Sequence, residues 1–257
     1  MDSIEEKSIN KKYCLRESIS LCIVCTLLSI IFVYHWRPLP SFPVAEYCYD
    51  VPRIKNNTEV FYVGKDACNT MNQTSFAIQN YFGLVSLQIE SNSFQFVNSF
   101  VLNTLPKLKE IQIGDNSFEG LSSQSGYRFS ISKCTQLSSV SIGRKSFSQY
   151  SDEFEIRECP SLERIVLQGF NFQSPRLVLD ESLHLTKLSV FEIGPSSFWN
   201  TEQFEINSLP NLQSITIGDE SFNGAIQDHS SFQIANCPLP YATVQREPNH
   251  VLLETLL

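Results

Sequence analysis

Cysteine and histidine are the residue types here that could bind a metal ion or act as nucleophiles. The chain has eight cysteines and four histidines. A structural zinc site takes four such ligands, usually in closely spaced pairs. Cys22 and Cys25 have C-x-x-C spacing, but they lie inside an apolar run. No histidine has a partner at ligand spacing; the four are His35, His184, His229 and His250. The sequence therefore predicts no metal site and no cofactor.

Covalent catalysis needs a nucleophile, a base and an acid brought together in a recognisable frame. The chain contains no G-x-S-x-G motif and no glycine-rich phosphate loop. We therefore expect a protein without enzymatic activity. Two other cysteines, Cys48 and Cys68, lie where an extracellular N-terminal cap would be cross-linked, and they form a candidate disulfide.

Three further cysteines occupy one repeated position. Cys134 and Cys159 each stand three residues before a leucine, and Cys237 falls at the same place, which Leu105 and Leu209 take in other repeats. A position that accepts leucine or cysteine is apolar, so we expect buried free thiols. A Cys134–Cys159 disulfide or a metal is the alternative.

The net charge of the chain is −8, and all of the excess lies after residue 36 because acidic and basic residues cancel before Arg37. An acidic surface repels phosphate backbones and anionic lipid headgroups. Nucleic acid is therefore not an expected partner.

An apolar segment covers residues 18–36, SISLCIVCTLLSIIFVYHW, with no acidic or basic residue inside it. As a helix it would span roughly 28 Å, close to the thickness of a bilayer core. We interpret it as a single-pass signal anchor, because residues 37–47 offer no good cleavage site. A cleaved signal peptide, giving a secreted protein, and a buried core helix are the alternatives.

Basic residues precede this segment, so residues 1–17 are predicted to be cytoplasmic and everything after residue 37 extracellular or lumenal. Two sequons agree with this orientation. Asn56 and Asn72 each begin an Asn-x-Thr triplet, and both are candidate glycosylation sites.

Six segments of the remaining chain align without gaps and indicate a repeat of about 25 residues. They are LVSLQIESNSF (84–94), LKEIQIGDNSF (108–118), LSSVSIGRKSF (137–147), LERIVLQGFNF (162–172), LSVFEIGPSSF (188–198) and LQSITIGDESF (212–222). A weaker copy, VFYVGKDAC, precedes them. The second half of each unit carries a Phe-x-Ile or similar pair. Both halves alternate with a period of two, so we expect two short strands per coil and a continuous row of phenylalanines inside the stack.

The pattern L-x-x-L-x-L-x-x-N-x-L resembles the leucine-rich-repeat family. The run from Cys134 through Leu137, Val140 and Ile142 to Phe147 is similar to its BspA-like subclass. The resemblance implies a right-handed, β-rich solenoid of parallel strands that binds other proteins, often at a cell surface, with no enzymatic activity. We assign the solenoid to residues 59–239, a linker and N-terminal cap to 37–58, and a tail or C-terminal cap to 240–257.

Side chains that alternate with the buried positions of the first strand form the candidate binding face, because they point away from the core. They are Ser86, Gln88, Glu110, Gln112, Ser139, Ser141, Arg164, Val166, Val190, Glu192, Ser214 and Thr216. Their size and charge vary between repeats, as recognition requires, although a merely solvated face would look the same. The sequence thus favours a membrane-anchored scaffold that binds a protein or glycan. The alternative is a structural or adhesion component that assembles with copies of itself.

Overall fold

A computed structural model of the chain describes Cys48 and residues 58–121, 126–174, 176–222, 231–238 and 241–244. Outside these residues lie the predicted cytoplasmic tail, the predicted membrane anchor at 18–36, nearly all of the predicted cap at 37–58, and Asn56. Among the described residues, no helix is both long and apolar enough to span a bilayer.

The described residues form fifteen short strands and one 3-10 helix at Glu181–Leu183. The strands are β1 Val60–Val63, β2 Ser75–Gln79, β3 Ser86–Ile89, β4 Ser99–Asn103, β5 Glu110–Ile113, β6 Arg128–Ser132, β7 Ser139–Ile142, β8 Glu153–Arg157, β9 Arg164–Leu167, β10 Arg176–Leu179, β11 Val190–Ile193, β12 Gln203–Asn207, β13 Ser214–Ile217, β14 Ser231–Ala235 and β15 Tyr241–Val244.

The strands alternate between two sides of a parallel β-solenoid. All odd-numbered strands form one eight-stranded sheet in sequence order, which we call the first sheet. The even-numbered strands form the second side, divided into a four-stranded sheet (β2, β4, β6, β8) and a three-stranded sheet (β10, β12, β14). Every pairing is parallel and joins equivalent residues of neighbouring coils. The predicted fold of stacked coils with two short strands each is confirmed.

Alternation within each strand explains why the chain folds this way. In β5, Ile111 and Ile113 are buried, whereas Gln112 between them is exposed. A strand with one apolar face has to bury that face against another layer, and the strand on the opposite side of the same coil supplies it. One coil cannot close its own core, so neighbouring coils must stack.

The predicted row of phenylalanines is present in the core. Phe94, Phe118, Phe147, Phe172, Phe198 and Phe222 are all buried. Successive rings of this row stack with centroids 4.8–5.8 Å apart. Truncating a buried ring to alanine typically costs about 3–5 kcal/mol, so the row is a major source of stability.

A second row of rings comes from the even-numbered strands and interdigitates with the first. Phe76, Phe100, Phe129 and Phe154 stack on one another at 5.2–5.3 Å. They meet the first row edge-to-face, as Phe129 does with Phe147 at 5.0 Å. Edge-to-face and offset-stacked rings are the favourable geometries for aromatic pairs.

This second row is interrupted at Leu177, where the second side also divides into two sheets. Leu177 takes the phenylalanine position of β10. Strand β10 pairs with β12 but is not hydrogen-bonded as a ladder to β8. The sequence analysis aligned Leu177 with the phenylalanines but did not foresee that the sheet would divide there.

Buried serines, which the sequence analysis did not single out, tie each coil to the next. They stand immediately before the phenylalanines of the first row, with Asn171 in the place of one serine. The Ser117 N–H donates to Ser146 Oγ at 3.0 Å, and the Ser117 hydroxyl donates to the Glu90 carbonyl at 3.0 Å. Ser93, Ser146, Ser197 and Ser221 make equivalent bonds.

The first sheet extends one strand beyond the predicted solenoid boundary at residue 239. Strand β15 begins at Tyr241 and pairs with β13 in register. The connection from Ala235 to Tyr241 is one residue shorter than the equivalent connection from Asn207 to Ser214. This deletion puts Pro240 at the expected leucine position, which is why the repeat pattern seemed to end.

Candidate binding face

The outer face of the first sheet carries two columns of side chains in strict register. One column runs through Tyr62, Gln88, Gln112 and Ser141, and continues along the later odd-numbered strands. The other runs from Val60 through Ser86 and Glu110 in the same way. All twelve residues of the predicted face lie in these columns.

The twelve residues differ in how much surface they present. Gln112 and Arg164 are exposed, and most of the others are half-buried between neighbouring strands. Ser86 is only 5% exposed, and its hydroxyl donates to Glu110 Oε1 at 2.8 Å while accepting from Gln88 Nε2 at 3.1 Å. Ser86 therefore positions its neighbours and offers little surface to a ligand.

A shallow depression of about 430 Å³ lies on the N-terminal half of this face. Its walls come from β1, β3, β5 and β7 and from the turns that follow the first three of these strands. The lining residues are Tyr62, Lys65, Gln88, Ile89, Glu90, Ser91, Gln112, Ile113, Gly114 and Ser141. The volume lies in the range of roughly 300–1,000 Å³ that is usual for small-ligand sites.

Glu90 is the carboxylate in the lining, and the structure compensates its charge locally. It accepts a hydrogen bond from the Tyr62 hydroxyl and another from the Lys65 backbone N–H at 3.1 Å. The bond to Glu90 raises the pKa of Tyr62, because an ionised phenol could not donate it. The Tyr62 hydroxyl is therefore protonated, and the Tyr62 ring lies beside the depression.

The C-terminal half of the face has a different character. Arg164 and Glu192 form an ion pair at 2.6 Å across β9 and β11, with side chains that are 49% and 36% exposed. Val166 and Val190 stand beside them as half-buried apolar residues. An exposed pair of this kind contributes little stability, so this half offers a mixed charged and apolar surface.

A second depression, of about 480 Å³, lies at the edge of the solenoid, where the chain continues from the strands of the second side. It is lined by Leu185, Thr186, Ser208, Leu209, Pro210 and Asn236. Hydrogen bonds here join neighbouring coils; for example, Asn236 Nδ2 donates to Asn207 Oδ1 at 2.9 Å. It contains none of the predicted face residues.

The outer face of the second side carries ion pairs on β6 and β8. Arg128 contacts Glu153 at 2.7 Å, and Arg157 contacts Glu155 at 3.2 Å. These contacts pair every charged side chain of these two strands. We therefore regard the first sheet as the better candidate for recognition.

Cys134 and Cys159 occupy equivalent places in neighbouring coils, two residues after the paired residues Ser132 and Arg157. Both are buried free thiols, and each S–H donates to the carbonyl of the residue two positions earlier. Contact with Cys159, together with burial, raises the pKa of Cys134. Cys237, also a free thiol, is half-buried. Among the described residues, no three His, Cys, Asp or Glu side chains are grouped to hold a metal ion.

Two other predicted sites lie near the start of the solenoid. Cys48 and Cys68 form a disulfide in the structure, with their Cα atoms 5.0 Å apart. Asn72 is exposed in the turn between β1 and β2, where the Gln73 N–H donates to the Thr70 carbonyl at 3.0 Å.

The polar lining residues that the sequence analysis missed are Tyr62, Lys65, Glu90 and Ser91. Tyr62 belongs to the weak first repeat, VFYVGKDAC, and its place in the column follows from counting back one coil from Gln88. Glu90 lies one residue beyond the end of β3. Only the structure shows that it lines the depression.

Comparisons with protein-family profiles, with curated proteins and with solved structures give no match to this chain. Its function has to be inferred from its own residues and their geometry.

Proposed function

We propose that this chain is a non-enzymatic binding scaffold that presents the outer face of its first sheet to a protein or glycan ligand. The observation that carries the proposal is the pair of registered columns, whose outward side chains differ from coil to coil in size, charge and hydrogen-bonding capacity. Rigid strands hold these side chains in fixed positions, which suits recognition better than a flexible loop would.

The scaffold is, on this proposal, a right-handed leucine-rich-repeat solenoid of the BspA-like kind. Support comes from the six ungapped segments and from the cysteine-or-leucine position that precedes the first strand. The serine before five of the six phenylalanines agrees with the pattern of the resemblance, which runs through Ser146 to Phe147.

Photo-crosslinking tests which face binds. A photoreactive amino acid would replace Gln112 on the first sheet or Arg176 on the second side, both of which are exposed at strand positions. We expect ligand adducts from position 112 and none from position 176. Equal labelling from both positions, or adducts only from 176, would contradict the assignment of the face.

We further propose that residues 18–36 anchor the protein in a membrane with the solenoid on the extracellular or lumenal side. The Cys48–Cys68 disulfide and the exposed sequon at Asn72 support an oxidising, glycosylating compartment. In sealed membrane vesicles the solenoid should resist external protease, and Asn72→Gln should remove the mass of one glycan. Digestion from the cytoplasmic side would contradict the topology. A mature N-terminus near residue 46 would indicate secretion instead.

A further inference from the structure

We propose that the depression on β1, β3, β5 and β7 binds an uncharged oligosaccharide. This inference rests on the proposed function and narrows its ligand from protein or glycan to glycan. It depends on three features of the depression: its hydrogen-bonding groups, its charge and the aromatic ring of Tyr62.

The side chains that line the depression can donate and accept hydrogen bonds at the same time. Gln88 and Gln112 each carry a planar amide, and Ser141 carries a hydroxyl. A saccharide hydroxyl also donates and accepts, so neighbouring hydroxyls pair well with a planar amide. Within the described part of the chain, the side chains of Gln112 and Ser141 make no hydrogen bond, so both are available to a ligand.

The spacing of these groups suits a linear chain of sugars. Gln88 and Gln112 are direct Cα partners in adjacent parallel strands, and Ser141 continues the column. Adjacent strands are about 4.8 Å apart, which is comparable to the length of one sugar ring. A glycan lying across the strands would therefore meet one polar side chain per ring, with the Tyr62 ring available to pack against a sugar face.

The lining of the depression has no net charge, because it contains one basic residue, Lys65, and one acidic residue, Glu90. Glu90 already accepts hydrogen bonds from the Tyr62 hydroxyl and the Lys65 backbone N–H. A charged ligand would give this balanced lining an excess of one sign, whereas a neutral ligand would leave the balance unchanged. The depression thus favours an uncharged ligand over a sulfated or sialylated one.

Tyr62 is the aromatic side chain of the lining, and the C–H face of a neutral sugar can pack against such a ring. The large hydrophobic side chains that are exposed among the described residues are Met71, Phe82, Leu121 and Trp199, and they lie outside the depression. The depression therefore combines one aromatic ring with several hydrogen-bonding groups, an arrangement that fits a saccharide.

Calorimetric titration of the full-length protein in detergent with defined oligosaccharides tests the inference. The probes are linear tetrasaccharides to hexasaccharides of glucose, mannose and N-acetylglucosamine, with sulfated and sialylated oligosaccharides as charged comparators. We expect at least one neutral probe to bind. Gln112→Ala should weaken that binding roughly fivefold to tenfold, as expected for the loss of one or two hydrogen bonds.

Gln233→Ala is the matched control, because Gln233 is an exposed glutamine on β14, on the second side and outside both the candidate face and the depression. It should leave the affinity unchanged, and both variants should unfold like the parent protein because neither side chain is buried.

Binding of charged oligosaccharides alone, or equal weakening by both variants, would overturn the inference. If no saccharide binds, the inference is also overturned. If crosslinking from position 112 then captures a protein, the proposed function stands and only the glycan inference is wrong.

Discussion

At the scale of single residues, the serine row is the feature with the clearest energetic consequence. Ser117 is fully buried, and its side chain accepts from the Ser93 N–H at 3.2 Å and donates to the Glu90 carbonyl at 3.0 Å. Ser117→Ala should therefore leave the buried Ser93 N–H and the partly buried Glu90 carbonyl with poorer partners. We expect a loss of about 1–3 kcal/mol in the free energy of unfolding, measured by urea denaturation.

Ser99→Ala is the control for this prediction, because Ser99 is a half-buried strand residue on the outer face of β4. It should change stability by less than about 0.5 kcal/mol. If both variants unfold at the same urea concentration, the serine row does not contribute as its geometry indicates.

Tyr150 links stability to pH. Its side chain is fully buried, and its hydroxyl donates to the Val97 carbonyl at 2.8 Å. Burial, with a smaller effect from Tyr127, raises the pKa of Tyr150 well above its usual value. The folded protein therefore keeps this phenol protonated at a pH where the unfolded chain, with an ordinary pKa of about 10, has already ionised. Below about pH 10 the stabilisation is complete, and it is lost as the pH rises further.

Comparison with Tyr150→Phe isolates this effect. In urea denaturation between about pH 9 and 11, the parent protein should lose stability more steeply, by up to about 1.4 kcal/mol per pH unit. Tyr127, whose pKa is also raised by burial, should leave a residual slope in the variant. Identical slopes in the two proteins would show that Tyr150 can ionise while the chain stays folded.

The asparagine position of the repeat has the same backbone conformation in every coil, although its residue type varies. Asn92 and Asn116 are joined there by a 3.2 Å side-chain hydrogen bond, and later coils have Lys145, Phe170, Ser196 and Glu220. The position has φ between 52° and 61° in all six coils, a left-handed conformation that asparagine tolerates better than most residues. The serine one residue later makes the buried bonds that hold successive coils together. Serine is common on surfaces, so its type alone could not reveal this role.

At the scale of elements, the sequence predicted the strands but not the division of the second side into two sheets. Alternation of buried and outward residues identified both strands of each coil, because this signal is local. The division between β8 and β10 depends on how two complete coils meet. The residue pattern within one coil contains no information about how two coils pack together. The depression beside Tyr62 and Glu90 was not predicted for the same reason, because several coils form it.

The turns after the first-sheet strands determine how closely coils can stack. A Cβ atom on Gly143 would lie 2.5 Å from both the Asp115 nitrogen and the Gly114 carbonyl carbon, which are backbone atoms of the preceding coil. Because backbone cannot rotate away, Gly143→Ala should force two coils apart. We expect a loss of at least about 2–3 kcal/mol in thermal or urea unfolding.

Gly126→Ala provides a comparison at a site with open space. Gly126 has φ of 82°, but no atom lies within 4 Å of its added Cβ. The strain of this conformation alone should cost about 1 kcal/mol. A larger loss for Gly126→Ala than for Gly143→Ala would contradict the importance of close stacking.

At the scale of the molecule, stability should be the sum of contributions between neighbouring coils, since the pairings described for each strand reach only the coils beside it. A change at one end should therefore remain local. Such independence also suits a scaffold whose outward residues vary, because a substitution on one coil leaves the core of distant coils intact.

The Cys48–Cys68 disulfide offers the sharpest test of this independence. It joins residues 20 positions apart and ends at Cys68, which is buried in the core beside the first coil. Closing a loop of this length stabilises a chain by about 3 kcal/mol in the chain-entropy description. Hydrogen exchange of the full chain before and after reduction should show faster exchange in β1 and β2, with β9, β11 and β13 unchanged. The double variant Cys48→Ala/Cys68→Ala should match the reduced protein and respond no further to reductant. Faster exchange along the entire first sheet would instead mean that the solenoid unfolds as one cooperative unit.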